Sequence, residues 1–346
     1  MTASPRRAAL LWLASLAGAA VLLWLAAQRV PLWPAAFSLP RPGLLAAAAA
    51  LHVPYSLARS LRLRYALDPR VRAATGDPRA RVPRDLLYGS GLVANLVIML
   101  LPLRLGELTR PILLARADVP GVGLPEAVAG VAGERVVDGL LVVALLLVGL
   151  DQATHLAPGF ADSSVDTLRV GRGMGLVFVA MLIGLALLAV TPRAWLARLI
   201  AVLPERLARF TVDLAATLRE LGRPQSGLPL VLWSLVYWAL TVLQSWLVLH
   251  ACGLGLGLAE AAAVVAIVGL SIQLPGGPAQ VGSYQVGGAL ALALFLPVDD
   301  LQGPGSSFVA VSYILGLLGA LALALPGAWL LARAARRRVP DPPDPA

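Results

Sequence analysis

The chain has 346 residues, of which 58% are hydrophobic and only 14% charged, and its mean hydropathy is +0.79. A water-exposed globule of this size could not tolerate that composition, so a soluble protein is excluded and the bilayer becomes the solvent. The net charge of +9 would suggest nucleic acid in a soluble protein, but here it sits in short loops between apolar runs, where membrane orientation accounts for it and no nucleic-acid partner is implied.

In chain order, Arg6 and Arg7 precede an apolar stretch from Ala8 to Ala27. That stretch exceeds the usual signal-peptide core of roughly 7 to 15 residues and reads as a retained first span. Further apolar runs cover 43–60, 86–103, 127–150, 174–191, 228–251, 258–274, 283–297 and 307–332. Crossing a hydrocarbon core of about 30 Å takes runs of about this length.

Arginines set the sidedness, because short cytoplasmic loops accumulate basic residues while acidic ones contribute little. Arg6 and Arg7, the eight arginines from Arg59 to Arg84, the six from Arg193 to Arg223, and Arg333, Arg336, Arg337 and Arg338 are placed inside. Only Arg29, Arg41, Arg169 and Arg172 fall on the other side, with the loops bearing Asp151, Asp162 and Asp166 and Asp299 and Asp300. Both chain termini are therefore expected in the cytoplasm.

These assignments leave two segments that must enter the membrane and return to the same side. One runs from Leu86 to Ala117 with a break at Leu101 to Gly106; the other runs from Leu258 to Pro297 with a break at Pro275 to Gly282. Both breaks are rich in Pro and Gly. Non-helical backbone at membrane depth is tolerated only where protein buries it or a wet cavity borders it, so each break marks an interior site. The expected fold is an all-α polytopic membrane protein with about six spanning helices plus two broken re-entrant hairpins in an inverted-topology repeat. A single domain would cover 1–338, with halves at about 1–150 and 174–332 and a disordered tail at 339–346. Within the second half, Leu196, Leu199, Leu203, Leu207, Phe210, Leu214, Leu218 and Leu221 alternate with charged residues, predicting an amphipathic cytoplasmic connector over 193–223, kinked at Pro204.

The densest polar cluster is Arg104, Glu107, Thr109 and Arg110 in LLPLRLGELTRP, followed by Glu134, Arg135 and Asp138 at the start of the next span. Ionisable side chains within a membrane cost roughly 2.5 to 3.5 kcal/mol each on insertion scales, so they pair internally or face a watery path. Glu107 and Arg110 would share a helix face, as would Glu134 and Asp138. Arg104 and Arg110 would suit a phosphate-bearing head group, because guanidinium forks bind phosphate bidentately. Salt bridges stapling the first hairpin to the next span would use the same residues.

The second break supplies Gln280, Ser283, Tyr284 and Gln285 among Gly276, Gly277 and Gly282. A half-helix starting near Ser283 would aim its positive dipole end at the break, favouring an anionic group there. Catalytic motifs are missing: His52, His155 and His250 are scattered, and there is no H-E-x-x-H, G-x-S-x-G or phosphate loop. Cys252 is the single cysteine, so neither an intramolecular disulfide nor a thiolate metal cluster can form. No cofactor is expected.

The blocks LPLRLGELTRPILLARADVP, GERVVDGLLVV and PGGPAQVGSYQVGGALALALFLP resemble the lysylphosphatidylglycerol synthase transmembrane region family, in order and spacing over most of the chain. The resemblance implies a flippase-like protein of the bacterial cytoplasmic (inner) membrane, related to the membrane half of aminoacyl-phosphatidylglycerol synthases. Arg104, Gly106, Glu107 and Arg110 fall on the family's first motif, and Glu134, Arg135 and Asp138 on its second. Relatives often carry a carboxylate where this chain has Gln285, which argues against an acid-dependent coupling step there. The larger members' soluble aminoacyl-transferase domain is not expected here, since the sequence ends in VPDPPDPA. The expected activity is translocation of a phospholipid or lipid-linked head group. The implied partners are membrane lipids, anionic or lipid-linked, and a second copy or a cell-envelope enzyme. The alternatives are a polytopic membrane enzyme with Glu107, Glu134 or Asp138 as general base, and a non-transporting scaffold for a cell-envelope glycosyltransferase.

Overall fold

The fold comes from a computed structural model. It describes residues 5–27, 37–152, 190–201, 203–273 and 277–337, with isolated positions between 31 and 34 and between 176 and 187. The expected span at 174–191, the Asp162 and Asp166 loop and the tail at 339–346 lie largely or wholly outside these residues.

Among the described residues all regular structure is helical. The elements are α1 (Pro5–Ala27), α2 (Pro42–Leu61), α3 (Arg64–Thr75), α4 (Arg84–Leu100), α5 (Thr109–Ala115), α6 (Leu124–Asp151), α7 (Arg193–Ile200), α8 (Glu205–Leu221), α9 (Pro224–Ala251), α10 (Leu258–Ser271), α11 (Ser283–Leu292) and α12 (Ser306–Arg336). Among the described residues three helical stretches are long and apolar enough to cross a membrane: Pro42–Thr75, which joins α2 and α3, Pro224–Ala251, and Val298–Arg336, which ends in α12. Other helices are apolar without meeting that standard. α6 has 28 residues but carries Glu126, Glu134, Arg135 and Asp138 between its start and its middle.

Three features depart from expectation. The arginine-rich stretch after α2 is helical: Leu63, Leu67 and Val71 form an i, i+4, i+8 stripe buried beside α6 and the start of α4. The connector breaks into two helices instead of kinking, because Pro204 takes ψ 141° as the residue flanking α8 and cannot continue α7. Pro102–Leu108 forms a 3-10 segment where the first break was expected.

α4 packs along α12, α9 along α2, and α6 along α10. The last pair is antiparallel. Gly149, near the end of α6, lies against Ala259 and Ala263 at the start of α10, while Val142 approaches Gly269. Both helices open alike: GVGLPEAVA leads into α6 and GLGLAEAAA into α10. Their flanking glycines, Gly123 and Gly257, adopt nearly the same extended backbone. Two like helix starts thus face opposite ends of the molecule.

Among the described residues the apolar core has two parts. One gathers α3, α5 and the starts of α4 and α6 around Leu67, Leu87 and Leu114; the other gathers α9, α10, α11 and the start of α12 around Leu249, Val264 and Leu292. α6 crosses both, through Ala127 in the first and Val142 and Leu146 in the second. Glu134, Arg135 and Asp138 fall between them.

Candidate functional site

The first break is shaped by a close approach. A side chain at Gly106 would place its Cβ 2.4 Å from the Val97 carbonyl oxygen, so only glycine lets the 3-10 segment fold back onto α4. That return presents Glu107 and Arg110 to α6, where each takes a different partner. Arg110 donates to Glu134 Oε2 at 3.2 Å and to the Ser60 carbonyl. Arg135 donates to Glu107 Oε2 at 3.0 Å and lies 3.7 Å from Asp138. The expected Glu107–Arg110 pair is not among these contacts, because the helical register changes between them, at Leu108.

Behind this pair of bridges lies Arg62, at 1% exposure. Its guanidinium forks onto both oxygens of Asp138, with Nη2 to Oδ2 at 3.1 Å. It also donates to Ser234 Oγ at 2.9 Å and sits 4.5 Å from the centre of the Tyr237 ring. Trp238 Nε1–H donates to Asp138 Oδ1 at 3.1 Å. Buried ions persist only when paired and hydrogen-bonded in this way, so Arg62 and Asp138 lock α2, α6 and α9 together.

Beside the lock is a cavity of about 760 Å³, a size suited to a small amphiphile. Its charged wall holds Arg59, Glu107, Arg135 and Asp138, next to Tyr55 and Tyr237. Apolar side chains line the rest of it, among them Val142, Val264, Val268, Phe308 and Leu315. Both broken segments reach it, the first through Glu107 and Leu108 and the second through Gln273, Gln280 and Tyr284. Glu134 and Arg110 lie behind this wall, on a small void of about 20 Å³ that Arg59 and Arg135 also border.

The second break is held by neutral groups. Ala279 and Gln280 both have positive φ, 57° and 60°, a conformation that costs non-glycine residues of order 1–3 kcal/mol each. The Tyr313 hydroxyl donates to the Ala279 carbonyl at 2.9 Å, and Ser283 Oγ donates to that of Gln280 at 3.1 Å. Gln285 accepts the Gly282 N–H at 2.8 Å and so caps α11, which begins at Ser283 as the sequence suggests. Gly277 and Gly282 press against Ala19 and Leu22 of α1 and do not border the cavity. Gly276 and the Arg104 side chain lie outside the described residues.

Of the residues singled out from sequence, Glu107, Arg135, Asp138, Gln280 and Tyr284 border the cavity. Sequence reasoning missed Arg59, Arg62, Tyr237 and Trp238. A signal was present: His52, Tyr55, Arg59 and Arg62 recur at spacings of three and four, a polar stripe on one face of α2. Among the described residues no cluster of His, Cys, Asp and Glu could hold a metal ion.

Residues 12–301 match the family model described as lysylphosphatidylglycerol synthase TM region. No curated protein matches the chain, and no solved structure does. The match takes in both broken segments and the whole charged cluster, and the chain belongs to the lysylphosphatidylglycerol synthase TM region family.

Proposed function

We propose that the chain carries a phospholipid or lipid-linked head group across the bacterial cytoplasmic membrane, using the cavity between the two broken segments as the passage. The observation that carries this reading is that one cavity of about 760 Å³ is bordered by both broken segments and lined by charged as well as apolar side chains. A lipid needs both surfaces: polar groups to replace water around its head group and an apolar path for its chains.

In this reading about six helices span the membrane, and the two breaks are re-entrant hairpins of an inverted repeat that rock about the site. The antiparallel packing of α6 and α10 supports it, as do their matching GxGLxEA starts at opposite ends. Family membership supports a lipid-related role. Glu107, Arg135, Asp138, Gln280 and Tyr284 would border the head group, while Arg110 and Glu134 would hold the first break in place.

Mass spectrometry of lipids retained by the detergent-purified protein tests the reading. Gly316 borders the cavity and has nothing within 4 Å of an added Cβ, so Gly316→Trp grows into the cavity. The native chain is expected to enrich one anionic or lipid-linked species, and the variant to lose it. Identical bulk lipid on both would contradict the proposal.

A further inference from the structure

We infer that Arg59 receives the phosphate of a singly charged phosphodiester lipid, whose hydrocarbon chain enters the apolar half of the cavity; this deepens the lipid-carrying reading and rests on it.

Among the described side chains of the cluster, four guanidiniums, Arg59, Arg62, Arg110 and Arg135, meet three carboxylates, Glu107, Glu134 and Asp138. Arg62 pairs with Asp138, Arg110 with Glu134, and Arg135 with Glu107, with Asp138 beside it. Arg59 takes part in none of the ion pairs among the described residues. Its hydrogen bond goes to the neutral Asn95 Oδ1, and Glu107, the carboxylate that acts on it electrostatically, is already paired with Arg135. A guanidinium has five N–H donors, so most of its capacity stays uncommitted. An amide dipole does not neutralise a cation in a low-dielectric setting, where an unpaired charge is costly. The missing counter-charge is best supplied by something that enters the cavity, and Arg59 borders it.

The surroundings narrow the ligand. Among the described side chains the surplus is one positive charge, which one negative charge matches, and this favours a phosphodiester over a phosphomonoester or a polyanion. Glu107 and Asp138 on the same wall would repel further negative charge. Val264, Val268, Phe308 and Leu315, which line the same cavity, offer nothing to a free inorganic ion but match the first carbons of an acyl or isoprenoid chain.

The test is binding of short-chain lipids to the full chain in detergent, by calorimetry, with native protein, Arg59→Gln, Arg59→Lys and Asn95→Asp, each confirmed monodisperse. Asn95→Asp leaves Arg59 present but gives it an internal counter-charge. Dioctanoyl phosphatidylglycerol should bind the native chain, and Arg59→Gln and Asn95→Asp should each weaken it by about tenfold or more, as expected for losing charged hydrogen bonds. Arg59→Lys should fall between. Asn95→Asp should also raise the unfolding temperature, which a purely structural Arg59 that already has its partner would not predict. Dioctanoyl phosphatidylcholine and phosphatidic acid should bind more weakly, and inorganic phosphate should not compete.

Competition by inorganic phosphate at similar concentrations would make this a free-anion site and overturn the inference. Unchanged affinity in both Arg59→Gln and Asn95→Asp would overturn it too, while leaving the lipid-carrying reading standing. A native chain that binds none of the lipids would overturn that underlying reading instead.

Discussion

Replacing Asp138 by Asn removes one charge with almost no change of shape. The Asn oxygen can still accept from Trp238 Nε1, so the effect isolates the pairing with Arg62. Arg62 is 1% exposed, and its other contacts, the Ser234 hydroxyl and the Tyr237 ring, carry no formal charge. Breaking a buried pair by neutralising one partner costs about 3–5 kcal/mol, because the remaining ion is left uncompensated. Arg135, 3.7 Å from Asp138, adds a second cation that loses its neighbour. The assay is reversible unfolding in mixed micelles, comparing native, Asp138→Asn and the double variant Arg62→Met, Asp138→Leu. The single variant should lose about 3–5 kcal/mol, and the double variant should recover most of it, since apolar residues of similar size often replace a buried pair without loss. The double variant should still fail to bind lipid, because Asp138 also borders the cavity. Native stability in Asp138→Asn would refute the claim that this pair locks the three helices.

Arg135→Gln should cost below about 1 kcal/mol, because its side chain is 36% exposed and its pairs are screened; a loss as large as that of Asp138→Asn would reverse the assigned hierarchy. Gly106→Ala should sharply lower folded yield, since its Cβ would meet the backbone of Val97 and Ile98, whereas Gly316→Ala, with open space around it, should behave as native in size-exclusion chromatography. Tyr313→Phe should destabilise the second break by about 1 kcal/mol and speed amide hydrogen exchange over residues 277–283; unchanged exchange would mean that the Ala279 carbonyl does not depend on it.

Much of the helical framework was legible because apolar runs bounded by Pro, Gly and Arg coincide with α1, α2, α4, α6, α9, α10, α11 and α12. The two interruptions of helix, at 102–108 and around 277–282, were legible from their Pro and Gly. The arginines themselves misled at one place. The positive-inside rule counts Arg near the end of a span without saying which way it points, so Arg59 and Arg62 read as loop residues, whereas α2 turns them inward with His52 and Tyr55. α3 was hidden the same way, its Leu63, Leu67 and Val71 stripe diluted by surrounding arginines. Pairing inside the cluster was not legible either: Glu107 and Arg110 suit one helix by spacing, but the 3-10 segment ending at Leu108 separates them and α6 supplies closer partners. Ser234, Tyr237 and Trp238 lay in an apolar run, and only the antiparallel return of α9 along α2 shows that they face Arg62 and Asp138.

The central claim is that lipid passes through the cavity between the two breaks. It is tested most directly by reconstituting the purified chain into liposomes that carry a fluorescent phosphatidylglycerol and following, with a membrane-impermeant quencher, the rate at which label changes leaflet. The native chain should accelerate exchange above empty liposomes, and Gly316→Trp, correctly folded and equally incorporated, should abolish the acceleration. Exchange at the native rate in Gly316→Trp, or none above background with the native chain, would contradict the account.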